Sequence, residues 1–216
     1  MGTYTENIRL YEPGHRPPRL VAIGGGHGLS AMLRGLKRYT RDITAIVTVA
    51  DDGGGSGALR EDLGMLPPGD IRSCILSLAN TEKTMRELLN YRFTEGSLAG
   101  QSFGNLFLAA LSEILPSFDQ AVESLSQILA ITGRVLPVTN ENVRLEAELE
   151  NGARVAGESS ICGCKRRHGC RIRRVRLRPA GAQALPAAPA ADRNIIPQCG
   201  AQRNSIVWLD GGAAIG

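Results

Sequence analysis

Aromatic side chains are scarce in this sequence, 4% of 216 residues, and it has only three histidines and five cysteines. No apolar run approaches the roughly 18 to 20 residues of a membrane span, and the amino end, MGTYTENIRLYEPGHRPPRL, lacks the apolar stretch of a signal peptide. A cytoplasmic protein without membrane partners is therefore expected. His15, His27 and His168 have no evident Ser or Cys partner, which argues against a hydrolase triad. Two nucleotide fingerprints are missing as well. Counting six from Gly24 lands on Leu29, so GxGxxG does not fit, and no GK[ST] completes a Walker A loop.

What remains is a globular composition, 43% hydrophobic and 21% charged, in a 23.0 kDa chain long enough for one domain with its own core. The formal charge of +4 suggests a nucleic-acid partner only until its location is considered. Eight of the 25 basic residues fall between Lys165 and Arg178, and the rest of the chain carries 17 basic against 21 acidic residues. With no aromatic platform beside that run, nucleic acid is not an expected partner.

After a Pro-punctuated lead-in over residues 1–18, the apolar run Leu20 to Ile23 ends in Gly24, Gly25, Gly26, His27 and Gly28. Leu29, Met32, Leu33 and Leu36 then recur at helical spacing, and Ile43 to Val49 reads as a second strand. Strands apolar on both faces, joined through a helix, imply parallel strands between helix layers. The second strand runs into Asp51, Asp52 and the glycine-rich Gly53 to Gly57, so two such loops leave the carboxyl ends of neighbouring strands, where open α/β sheets bind ligands. Asp70 is the expected N-cap of a helix carrying Ile71, Cys74, Ile75 and Leu78; further helices are expected to about Phe93, from Ser102, and over Ser117 to Ile131. From Val143 the period changes to two, and Asn151-Gly152 predicts a hairpin over 142–157 closed by a type I′ turn. The fold class is thus α/β, a three-layer α/β/α with a Rossmann-like, mainly parallel sheet and a β-hairpin.

Gly24 to Ser30 bring backbone N–H groups and a helix N-terminus to one point, which suits a phosphate. Asp51 and Asp52 stand where an acid would meet ribose hydroxyls, as in an NAD protein, or hold Mg²⁺ through one or two ligands. Arg60, Asp70 and Arg72 can add charge to the same cleft. Ser102, Phe103, Gly104 and Asn105 open a helix, where they either bind a second phosphate or cap the helix. Cys162, Cys164, His168 and Cys170 lack paired-knuckle zinc spacing, and without an export signal disulfides are not expected among them.

The set GGGHGLS, VTVADDGGGSGALR, LGMLPPGDIRSCI, NYRF and AGQSFGNLFLAALSEI resembles the YvcK-like proteins, the gluconeogenesis-factor branch of the superfamily that includes CofD, the 2-phospho-L-lactate transferase. The likeness runs from about Arg19 to Ile161. It implies a nucleotide-sugar ligand such as UDP-N-acetylglucosamine and a role in cell shape and wall synthesis during gluconeogenic growth. The CofD branch implies instead a phospholactyl transferase using Mg²⁺. Carried over by motif, Gly24, Gly25, Gly26, His27, Gly28 and Leu29 would take the phosphates, and Asp51 and Asp52 the metal or sugar-phosphate end. Ser102 to Asn105 would face the other side of the nucleotide, with Ser56 and Gly57 closing the pocket. Self-association is left open.

Beyond residue 161 the resemblance shrinks to RIRRVRLRP, flanked by CGCKRRHGC and by PAADRN onward, which match nothing in the family pattern. That is the signature expected of truncation or of a frame that slips, recovers and slips again. Residues 162–216 are accordingly expected to form an atypical, disordered tail.

Overall fold

The computed structural model describes residues 18–179 and the backbone of two short strands at 206–209 and 214–215. The lead-in up to residue 17 and most of the expected tail beyond 179 lie outside the described residues.

Strand β1 (Leu20–Gly24) is followed by α1 (Gly26–Leu36) and β2 (Ile43–Val47). Helices α2 (Gly54–Leu63), α3 (Gly69–Leu78), α4 (Lys83–Asn90), α5 (Phe103–Ile114) and α6 (Phe118–Ile128) then lead to β3 (Arg134–Pro137). β3, β2 and β1 form a parallel sheet in that order, in register Leu20 to Ile43 and Thr44 to Arg134. β7 (Ile206–Leu209) adds antiparallel to β1, and β8 (Ala214–Ile215) to β7. Helices cover both sides of the sheet. The core is the apolar stripe of each helix closed on the strands: Leu29 and Leu33 of α1, Ile71, Ile75 and Leu78 of α3, Leu108 of α5 and Val122 and Leu125 of α6 are 0–1% exposed, as are Ile43 and Val47 of β2.

A second, antiparallel sheet is built from β4 (Val143–Leu149), β5 (Arg154–Ala156) and β6 (Ile172–Pro179), in the order β5-β4-β6. The hairpin is where the sequence predicts it, but its turn is not type I′. Gly152 has φ +81 while Asn151 does not, and Gly152 N–H donates to Leu149 O as Leu149 N–H donates to Ala153 O. One glycine therefore takes the left-handed position at the end of a longer loop.

Residues 162–179 depart from the expected tail. α7 (Glu158–His168) runs through residue 161 and ends on Gly169 at φ +60, and the Arg-rich segment is the strand β6. Pairing explains it: Arg178 Nε lies 3.1 Å from Glu146 and Arg173 Nη1 3.6 Å from Glu148, both on β4. A basic run that reads alone as solvated alternates against acids of its neighbour. Cys164 and Cys170 also depart from expectation by forming a disulfide, because the left-handed turn at Gly169 brings their Cα atoms to 5.8 Å.

Candidate active site at the sheet edge

Because β1 and β2 are parallel, the turns after Gly24 and Val47 leave the same edge. They touch directly. Thr48 N–H donates to Gly24 O at 2.9 Å, and a Cβ on Gly25 would collide with Thr48 Oγ1 and stand 2.8 Å from Asp70 Oδ2. Helix α1 starts on Gly26, at φ +67, after Gly25, which has no side chain to cap it, so the amides of its first turn point at this edge. His27 is exposed there, while Leu29 is fully buried in the core.

Asp70 is not the N-cap of α3, a position held by Pro68, but the second residue of its first turn. From there its carboxylate accepts a hydrogen bond from Gly26 N–H. The group is largely buried, and burial first and the nearby Asp51 second raise its pKa to about 6, against the pull of Gly26 N–H, His27 and Arg72.

The glycine-rich stretch after Asp52, read in the sequence as a loop, is instead the start of α2, which is capped at Gly53 and runs from Gly54. Asp51 Oδ1 accepts from Gly53 N–H at 2.9 Å, and Asp51 Oδ2 lies 3.6 Å from where a Cβ on Gly69 would stand. Ser56 is buried beneath that same point, so a Cβ at position 69 would press on its Oγ where α3 starts. Gly57 packs on the backbone carbonyl of Asp52. The two neighbouring acids therefore part company: Asp51 stays at the edge, whereas Asp52 Oδ1 accepts from Ser159 N–H at 2.8 Å and caps α7. This arrangement brings in Glu158, which sequence reasoning missed. Burial and then Asp51, Asp70 and Asp52 raise its pKa. No local signal could have found it, since the contact closes only through the second sheet.

Of the two arginines placed in the cleft, Arg60 is 2% exposed and turned away, donating to Asn142 Oδ1 and the Val143 carbonyl. Arg72 stays close to Asp70, donating from Nη1 to Leu89 O and Asn90 Oδ1, each at 3.1 Å. Its side chain crosses Gly104, where a Cβ would come within 2.7 Å of Arg72 Cδ. Ser102 is the N-cap of α5, accepting from Asn105 N–H at 3.3 Å, and both residues are buried; Phe103 packs partly buried against the core. Asn105 Oδ1 is buried with no hydrogen-bond partner. The structure thus joins Gly104 to Arg72, Arg72 to Asp70, and Asp70 to Gly26.

Among the described residues no group of three or more His, Cys, Asp or Glu side chains could hold a metal alone. Mg²⁺ commonly needs only one or two carboxylates, with phosphates and water completing its shell. Asp51 and Asp70, whose proximity raises the Asp70 pKa, fit that looser demand.

Two glycine turns, the first amides of a helix and a carboxylate cluster thus meet at the carboxyl edge of an α/β sheet, the edge at which open sheets of this kind bind ligands. The family model for 2-phospho-L-lactate transferase CofD matches residues 20–194, and the chain belongs to that family. It is 61% identical over 171 residues to a protein of Thermoanaerobacterium thermosulfurigenes, covering 79% of this chain and 53% of that one. It is 48% identical over 170 residues to the gluconeogenesis factor of Bacillus subtilis, covering 78% and 52%. A crystal structure of a UPF0052 family protein from Bacillus halodurans superposes with a TM-score of 0.69 at 45% identity, over 74% of this chain and 51% of that one. The chain spans about half the length of these relatives. Within the family, the likeness to gluconeogenesis factors supports a YvcK-like role.

Proposed function

We propose that this chain is a cytoplasmic factor that binds a UDP-sugar such as UDP-N-acetylglucosamine at the sheet edge and supports cell shape and wall synthesis during gluconeogenic growth. The observation that carries the reading is the meeting of Gly26 and Asp51 around Asp70. The amides of the first α1 turn after Gly26 are suited to the diphosphate. Asp51 is suited to the sugar-phosphate end.

A second reading, a CofD-like transferase using Mg²⁺, is favoured by the Asp51 and Asp70 pair. When bound there, Mg²⁺ would neutralise phosphate charge and polarise the transferred group. Asp51 and Asp70 would hold the ion, and the α1 amides would orient the diphosphate.

Calorimetric titration with UDP-N-acetylglucosamine, GDP and NAD, each with and without Mg²⁺, tests these readings. Saturable, metal-independent UDP-sugar binding is expected. Product formation from a phospholactyl donor and a deazaflavin would overturn the binding-factor reading in favour of the transferase. Binding of NAD alone would replace both with a dinucleotide site.

A further inference from the structure

A cavity of about 470 Å³ opens between α1, α3 and α4, adjoining the sheet edge at His27 and Arg72. It starts at His27 beside the sheet edge and reaches Lys37, ten residues and roughly 15 Å further along α1 at 1.5 Å per residue. Its far end therefore lies at the opposite end of the helix from the glycine turns. The walls carry Arg34 and Lys37 from α1, Arg72 from α3 and Arg86 from α4, separated by the small hydroxyls of Ser73 and Ser77.

No carboxylate among the lining residues answers these four cations, and none of the four forms an ion pair among the described residues. Their bonds go to neutral oxygens. Lys37 Nζ donates to Ala79 O at 2.7 Å, Arg86 Nη2 to Thr81 O at 3.3 Å and Arg72 Nη1 to Leu89 O at 3.1 Å. Arg72 Nε is buried with no partner. Ser73 and Ser77 donate to carbonyls of their own helix, so they line the groove without adding charge. Burial together with Arg86 and Arg34 lowers the Lys37 pKa, the mark of cations held against one another. Asp70, the acid whose charge acts on Arg72, belongs to the sheet edge, at the Arg72 and His27 end of the groove.

Uncompensated cations on three separate helices, around a concavity too small for a folded partner or a duplex, define a site by what would relieve it. We infer that the α1–α3–α4 groove is a second anion site that binds a small molecule carrying two phosphate groups. One phosphate would lie between Arg34, Lys37 and Arg86, and the other toward Arg72. Guanidinium pairs suit this because each presents a fork of donors to phosphate oxygens. The groove meets the sheet edge at His27 and Arg72, but Arg34, Lys37 and Arg86 lie outside that edge, so the inference stands whichever ligand the edge binds.

Inorganic pyrophosphate titrated into the full chain by calorimetry is the probe, compared between the wild type and R34Q/R86Q. Both substituted residues are exposed, and circular dichroism and melting verify the fold. The double variant is expected to weaken pyrophosphate binding at least tenfold and R34K/R86K to restore much of it, with any UDP-N-acetylglucosamine binding unchanged. Saturating UDP-N-acetylglucosamine should leave pyrophosphate binding intact. Wild-type pyrophosphate affinity in R34Q/R86Q, one-for-one displacement by the UDP-sugar, or no pyrophosphate binding to the wild type would each overturn the inference. Loss of UDP-sugar binding alone would count against the sheet-edge reading and leave the groove standing.

Discussion

The Asp52 carboxylate accepts a hydrogen bond from the Ser159 amide 107 residues further on, at 2.8 Å. An acid at the end of the second strand thereby serves as the cap of a helix in another part of the fold, since Gly157, the residue preceding α7, has no side chain to do so. The carboxylate also sits at the positive end of the α7 dipole.

Asp52→Ala should therefore cost about 1 kcal/mol, the usual worth of a helix cap. Asp52→Asn, which keeps an acceptor, should cost much less. Hydrogen exchange should quicken over residues 158–168 in the alanine variant while β1 and β2 keep their protection. Equal loss in both variants would mean that charge rather than capping matters.

Asp70 makes a prediction with pH. Its folded pKa is raised to about 6 from 3.8, so between these values the folded state binds more protons than the unfolded chain. Stability should then fall as pH rises from about 4 to about 6 and level off above, with Glu158, raised in the same direction, adding to the slope. Asp70→Asn keeps an acceptor for Gly26 N–H and removes the penalty. Its melting temperature should exceed the wild type at pH 7.5, and the gap should close near pH 4.

The same carboxyl distinguishes the two functional readings. A metal-free diphosphate beside Asp70 would raise its pKa further, so binding near pH 6.5 should take up protons; a Mg²⁺-loaded ligand would lower it and release them. Binding enthalpies measured in buffers of different ionisation heat give the sign. Asp70→Asn should abolish most of either effect.

Gly57 allows the turn after β2 to close onto the Asp52 carbonyl, and backbone cannot swing aside as a side chain can. Gly57→Ala should cost about 1–3 kcal/mol, the usual penalty of overpacking, and should weaken ligand binding at the edge. Chemical denaturation and the titrations above check both.

Two ion pairs join β4 to β6 under different exposure. Arg178 and Glu146 are 17% and 14% exposed, against 71% and 27% for Arg173 and Glu148. Glu146→Ala leaves a half-buried guanidinium unpaired and should cost clearly more than Glu148→Ala, which should stay within about 1 kcal/mol. Denaturant midpoints of the two variants give the comparison.

The β1, α1, β2 unit is legible in the sequence because its apolar runs, helical spacing and glycines all point the same way, and the hairpin is legible from alternation and Asn151-Gly152. Less can be read where a residue's meaning comes from a distant partner. Nothing around Arg171 to Arg178 suggests a strand until Glu146 and Glu148 lie beside it. Asp51 and Asp52 are adjacent and chemically alike, and only the position of Ser159 separates their roles. Glu158, Thr48 and Gly69 join the edge through contacts that no local pattern encodes, and the basic groove appears only when α1, α3 and α4 are side by side.

Arg60 ties the helix layer beside the first sheet to the second sheet. Its guanidinium is sealed from water and donates to Asn142 and the Val143 carbonyl, so the end of α2 is fastened to the first residue of β4. Because α2 begins at the turn that carries Asp51, this one side chain is the tether between the lip of the cleft and the far strands.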